Sequence, residues 1–347
     1  MAKRIRVSDD AGVTLYTLPG SQGEMSYEAG DVDDTIFGQD FKSSEVSLIN
    51  WNITSNAYFK GFAGYVADLK KVAGASTVMT GEATTFVSGK TWQITSAAHR
   101  IIDRATTLVV LDTAVPVAAA NIQSIDYLFG RVTFISSFTP GGAVTITGAW
   151  FATALIAKGR TFSLTETAEA VQTTVFETAQ ANGGHHTFQY GLKTVALEVS
   201  GVFDITNDLQ DFVKNRTELI IEINPDGSNQ SVARGYFKAM TQNQSGNVGD
   251  LEEETINFTL SVPPVDNMLT PFLWAHTATT LSTGVQKMLA AWENKTELLV
   301  QYLPTGNLLE GGKSGQVIVT EISLSGGMEA MNEFACTLQG TGTTTDV

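Results

Sequence analysis

The chain has 347 residues, of which 43% are hydrophobic and only 16% charged, and its formal net charge is −15. That length allows two or three compact units, and the acidic excess argues against gripping nucleic acid, because Lys and Arg carry phosphate binding. The single cysteine, Cys336, excludes an intrachain disulfide and a cysteine zinc cluster.

Thr and Val suit pleated, half-buried strands, and 32 Gly against 8 Pro imply many turns. A mostly β protein is expected. The start, Met1-Ala2-Lys3-Arg4-Ile5-Arg6, is basic but has no apolar run behind it, so it does not read as a signal peptide. The expectation is a soluble protein made in a reducing cytoplasm.

Strand signals begin with Val132 and Phe134, then Val144 and Ile146, linked through the turn-forming Thr139-Pro140-Gly141-Gly142. The nearly apolar run Val144 to Ala157 is too short to span a bilayer. Val195, Leu197 and Val199 alternate with polar or small residues, the period of two of a half-buried strand. Leu209, Phe212 and Val213 then fall at helical spacing after the caps Thr206 and Asn207. Ile256, Phe258, Leu260 and Val262 restore the strand period. A second helix is predicted from Val285, Met288, Leu289 and Trp292 after Ser282 and Thr283.

The two helices expose an internal repeat. Asn215-Arg216-Thr217-Glu218-Leu219-Ile220-Ile221 and a turn at Pro225-Asp226-Gly227 return 79 positions later, without a gap, as Asn294-Lys295-Thr296-Glu297-Leu298-Leu299-Val300 and Pro304-Thr305-Gly306. Ile256-x-Phe258-x-Leu260 is echoed by Phe334-x-Cys336-x-Leu338, which would put Cys336 at the place of Phe258. A fainter echo links Asp34-Thr35-Ile36-Phe37 to Thr173-Thr174-Val175-Phe176, and Ala57 to Gly61 with Leu197 to Gly201. The chain therefore reads as 1–65, the first half of one domain; 66–156, a β-rich segment inserted into it or part of it; 157–264, a second whole domain; and 265–347, a helix-plus-strands half that closes the first.

Doubled β-sandwich or barrel domains, each with one short amphipathic helix, polar Thr- and Gly-rich strands and acidic charge resemble the tail tube proteins of long-tailed (siphovirus-type) bacteriophages. The segment Lys90-Thr91-Trp92-Gln93-Ile94-Thr95, with Ile101 to Arg104, Ile125 to Phe134 and Val144 to Gly148, is similar to a recurring stretch in phage tail proteins. The resemblance implies a virion structural subunit with no enzymatic activity and no cofactor. It would form stacked rings around a lumen for double-stranded DNA, with hairpins pairing through open sheet edges. A duplicated chain implies a trimeric ring with pseudo-sixfold symmetry, favoured over a hexamer, with tape measure and terminator proteins as partners and only passing contact with DNA. An acidic lumen repels phosphates, and Asp250, Glu252, Glu253 and Glu254 are the candidate lumen-facing group. The other reading of these four is a solvated strand start.

Other features read as structural. His185-His186 follow a Gly-Gly turn, with only His99 and His276 elsewhere, too few for a metal site. Gly311-Gly312-Lys313-Ser314-Gly315 lacks the spacing of a phosphate loop and reads as a hairpin turn. Glu218 and Glu297 hold matching places in the two repeats, which suits a fold role better than a catalytic pair. The rival readings are a tail terminator or head decoration protein and, from another class, a carbohydrate-binding or adhesin β-sandwich.

Overall fold

The computed structural model describes residues 3–18, 20, 22–33, 44–58, 68–156, 159–202, 213–224, 233–246, 252–261, 270–274, 281–307, 311–327 and 333–347. The protein is mostly β, as expected from its Thr, Val and Gly content. The chain divides into two units, Met1–Tyr65 with Phe162–Leu197 and His276–Val347, and Val66–Thr161 with Glu198–Ala275. The segment 66–156 thus lies in the second unit, and 157–264 is divided between both.

In chain order, β1 (Arg4–Ser8), β2 (Tyr16–Thr17), β3 (Gln22–Asp33) and β4 (Ser44–Tyr58) come first. Next are β5 (Asp68–Val72), β6 (Thr77–Ser88), β7 (Thr91–Ile94), β8 (Val109–Asp112), β9 (Val115–Pro116), β10 (Ile122–Asp126), β11 (Arg131–Phe134) and β12 (Val144–Trp150). β13 (Thr153–Leu155), β14 (Gly159–Gln172), helix α1 (Phe176–Ala181) and β15 (Phe188–Val202) follow. The last stretch holds β16 (Glu218–Asn224), β17 (Ala233–Ser245), β18 (Glu253–Leu260), β19 (Phe272–Trp274), helix α2 (Thr283–Asn294), β20 (Leu298–Leu303), β21 (Lys313–Gly327) and β22 (Glu333–Asp346).

In the first unit, β3, β4, β22 and β21 run side by side, each antiparallel to the next. The start of β21 pairs with β20, which carries β1 and then β2 on its far side; β14 also bonds to β21. Helix α2 closes this unit. The Ser282 hydroxyl accepts from the Val285 N–H at 3.4 Å, and Lys295 ends the helix in the left-handed region at φ 55°. Its buried stripe is Val285, Met288, Leu289 and Trp292, as the spacing predicted. Beneath the sheet, the Trp51 indole lies flat against glycine backbone and donates to the Gly342 carbonyl at 2.8 Å. A Cβ on Gly340 would sit 2.1 Å from Trp51 Cε2, and one on Gly315 2.6 Å from Cζ2, so both places demand glycine.

The second unit has the corresponding arrangement. β16, β17 and β18 run antiparallel, β15 lies beyond β18, and β5 and then β13 line the other side of β16. Between β5 and β13 a small β module is inserted, with strand order β10-β11-β7-β6-β12-β8-β9. Its core is Met79, Ile94, Ile102, Val110, Val132, Phe134, Val144 and Ile146. The strands either side of Thr139 to Gly142 are not neighbours: β11 pairs with β7 and β10, β12 with β6 and β8. Asp112 instead holds that turn, accepting from the Gly141 and Gly142 N–H groups at 2.7 and 3.0 Å.

Register makes the repeat residue by residue. Arg216 and Lys295, 79 positions apart, both take the left-handed region, at φ 52° and 55°. Leu219 faces Phe237 as Leu298 faces Val317, and Ile221 faces Gly235 as Val300 faces Gly315. The second strand is therefore offset by 80, the turn having gained one residue. Both copies then bulge at one place, between Ala239 and Thr241 and between Val319 and Glu321. The bulge pairs Ala239 with Phe258 and Val319 with Leu338. Leu338, not Cys336, is thus the counterpart of Phe258; an apolar alternation of period two cannot by itself distinguish the two alignments.

The strands ahead of the repeat also correspond. β1 pairs with β20 as β5 pairs with β16, so Arg6 opposite Gln301 matches Lys70 opposite Glu222. β2 and β13 match in turn, and the β3–β4 and β14–β15 hairpins each lead to the closing strand, β22 or β18. The short loop 9–15 of one copy is replaced by the module, 73–152, in the other.

Several expectations fall elsewhere. Leu209 and Phe212 lie outside the described residues, while Val213 to Asn215 are helical. Of the faint echo, Asp34 to Phe37 and Phe59 to Gly61 lie outside the described residues too. Helix α1 was not foreseen: the Thr178 hydroxyl takes the Val175 N–H and donates to its carbonyl, a cap that replaces a Ser or Asp signal. Lys313 opens strand β21, so the glycine-rich turn ends at Gly312, three residues earlier than expected.

Replacing Gly340 with Ala is expected to lower stability by about 1–3 kcal/mol through overpacking on the indole. Chemical denaturation followed by tryptophan fluorescence reads this directly; an unchanged midpoint would show that the sheet yields at Trp51.

Candidate functional site

Alternation along the paired strands sorts side chains to two faces. In the first unit the buried face carries Ile53, Leu338, Ile322 and Leu324. Across the ladder the other face shows Glu24, Thr54, Thr337 and Glu321 side by side, then Gln22, Asn56, Ala335 and Ser323. Ser26 donates to Asn52 at 2.7 Å, and Thr167 of β14 bonds to Thr194 of β15 at 2.7 Å on the same kind of face. Glu28, Glu169 and Glu333 add charge there, all exposed.

The second unit repeats the pattern. Ile256 and Phe258 are buried, and Glu253, Thr255, Asn257 and Thr259 point the other way. Ser200 bonds to Thr255 and Asn257 donates to Thr241, each at 2.9 Å. Lys238, opposite Thr259, is the one basic residue among these positions. Short hydroxyl and amide side chains satisfy one another across strands, leaving a flat, hydrated, mildly acidic surface.

Two sheet margins on these strands have no partner among the described residues. β3 pairs with β4 on one edge only. β17 pairs with β16 only as far as Lys238, leaving that edge open from Ala239 to Ser245. Each margin shows an exposed large side chain, Tyr27 and Met240.

Of the expected acidic group, the three described members do not share one face. Asp250 lies outside the described residues. Glu252 is exposed and accepts from Gln244 at 2.8 Å. Glu253 stands on the polar face, 3.8 Å from Arg160. Glu254 turns to the opposite face, buried at 6% exposure and bonded to Gln242. Burial raises its pKa, and the Gln242 bond offsets this only in part. Neighbouring residues on a strand cannot share a face, so only Glu253 of that pair belongs to the polar surface.

No family model and no curated protein matches this chain. Among solved structures, the tail of an empty gene transfer agent particle, of C6 symmetry, is similar over 32% of this chain and 84% of that one, with 14% identity and a TM-score of 0.29. The virion of a native gene transfer agent particle is similar over 32% of this chain and 85% of that one, with 17% identity and a TM-score of 0.28.

Charged chemistry in the second unit serves the module. Arg234 and Glu222, both buried, form an ion pair through Nε and Nη2, at 2.8 and 2.6 Å. Arg234 Nη1 reaches the Leu128 carbonyl of the module at 2.7 Å, and Lys70 stands 3.6 Å from Glu222. Gln301 and Ser314 hold these places in the other copy, where there is no module to anchor. Arg104 of the module pairs with Glu218 and lies over the Tyr236 ring at 4.6 Å. A cavity of about 360 Å³ opens beside them, lined by Asp103, Arg104, Glu218, Leu219 and Tyr236. Its charged groups are already engaged, Arg104 with Glu218 and Asp103 with the Ser76 and Thr106 hydroxyls.

Replacing Arg234 with Ser alone should cost about 3–5 kcal/mol, because Glu222 stays buried without its main partner. Adding Glu222→Gln, which copies the other repeat, should recover most of that loss in urea denaturation. Equal losses in the single and double variants would contradict the account. Burial pushes the Cys336 thiol up to about 12, so thiol reagents at neutral pH should label it only after unfolding.

Proposed function

We propose that this chain is the structural subunit of a phage tail tube, assembling into stacked rings around a lumen through which double-stranded DNA passes. The observation that carries the reading is the polar, Glu-bearing sheet face that each repeat builds over an apolar core. A β-sandwich normally exposes such a face to solvent with charges of both signs. Here Thr, Ser, Asn and Gln dominate, and Glu outnumbers Lys. A wall of this kind repels phosphate and offers it few cations, Lys238 and the Glu253-paired Arg160, which suits DNA that must slide.

Two repeats per chain favour three chains per ring, with pseudo-sixfold symmetry. The remaining partners of the reading are the tape measure and terminator proteins, and the place is the tail of the virion. The work is mechanical rather than catalytic, and the module of 73–152 stands apart from the polar face in sequence.

Purified protein at high concentration should form stacked hollow rings in negative-stain electron microscopy. Isolated globular particles at every concentration and salt would overturn the reading, and single rings that never stack would favour a terminator. With Glu24→Lys, Glu28→Lys, Glu321→Lys and Glu333→Lys combined, rings should still form but retain duplex DNA at low salt. Wild-type rings that hold DNA as tightly would remove the lumen assignment.

A further inference from the structure

We propose that β3 of one copy pairs with β17 of the next, along Ala239 to Ser245, repeating between molecules the joint that β14 and β21 make within one. The inference rests on the assembly reading above and adds which edges are used and by what partner, a second copy of this chain.

The register supplies the argument. β21 and β17 are repeat counterparts, matched through Gly315 and Gly235 and through the shared bulge. β14 and β3 are counterparts as the first strands of the matching hairpins. In the first unit β21 gives its start to β20 and also bonds to β14. β17 likewise gives its start to β16, but among the described residues the edge beyond has no partner, and neither has the outer edge of β3. Among the described residues, the pairing of β14 with β21 therefore has no counterpart between β3 and β17. The two vacant edges are the two halves of that missing joint.

Side chains of the neighbouring β15 brace the internal joint. The Val319 N–H donates to the Tyr190 hydroxyl at 2.9 Å, while that hydroxyl reaches the Thr296 carbonyl at 3.3 Å. Lys193 Nζ caps helix α2 at the Trp292 carbonyl, 2.6 Å away, and stands 4.2 Å from the centre of the indole ring. The vacant β17 edge, Ala-Met-Thr-Gln-Asn-Gln-Ser, has no charge and no proline. Those are the devices by which lone edges are normally blunted. Met240 there is 59% exposed and Tyr27 on β3 47%. Because the edges differ, β3 against β17 is a head-to-tail contact, the kind that closes into a ring when its rotation allows, whereas β3 against β3 would stop at a dimer.

The test uses the full chain with single cysteines, Ser26→Cys on β3 and, one at a time, Thr241→Cys, Asn243→Cys or Ser245→Cys on β17, joined by a short bismaleimide. Cys336 is buried and serves as the silent background. Mixing the β3 variant with the β17 series should give a covalent dimer at one or more positions, at least tenfold above either variant alone. Rings visible by microscopy with no mixture-specific dimer at any position would overturn the inference and leave the tube reading intact. Dimers from the β3 variant alone would overturn it in favour of a two-fold contact. Neither rings nor dimers, with the variants folded by circular dichroism, would overturn both.

Discussion

Every backbone N–H and C=O on a strand needs a partner, and at a sheet margin the partner must come from water or another strand. That demand organises this molecule. Within the first unit, β14 and β21 satisfy one another. The counterparts of these strands, β3 and β17, are left with open margins over chemically similar sequence. In the proposed assembly, a duplicated chain with one joint made and one unmade is the simplest covalent form of a ring element: what each copy offers at one margin, it accepts at the other.

The copies have diverged where their neighbours differ. The loop 9–15 became a module of some eighty residues in the second copy, held by pairing of β5 with β13. That insertion brought a carbonyl, that of Leu128, close to the sheet, and the neutral places of Gln301 and Ser314 are an ion pair, Glu222 and Arg234, in this copy. A buried pair is costly to desolvate unless its remaining hydrogen bonds are met. The Leu128 carbonyl meets one of them, and Lys70, 3.6 Å from Glu222, adds a second positive charge. The polar face shows no such divergence, since short polar side chains recur in both copies.

The sequence reveals some of this more readily than the rest. Helix α2 is legible because Val285, Met288, Leu289 and Trp292 repeat at helical spacing behind a serine cap. The repeat is legible from Asn215 and Asn294 onward because helix, left-handed turn and buried strand together leave few residue choices. The alignment of the closing strands is not, since an extra residue in a turn shifts the offset without disturbing alternation. The match of β1 with β5 is hidden as well: Ile5 with Leu69 and Arg6 with Lys70 are too few residues to stand out. The acidic run at 250–254 drew attention by charge density, yet pleating sends Glu253 and Glu254 to opposite faces. The glutamates of the polar face are spread one or two per strand, so only pairing brings them together.

Amide hydrogen exchange on free chain and on assembled rings tests the central claim most directly. In the free chain, β14 should already be protected while residues 22–33 and 239–245 exchange quickly at their outward amides. On assembly these two segments should slow together, by at least tenfold, with β14 unchanged. Rings in which both segments exchange as fast as in the free chain would contradict the account, because the subunits would then be joined by some surface other than their strand margins.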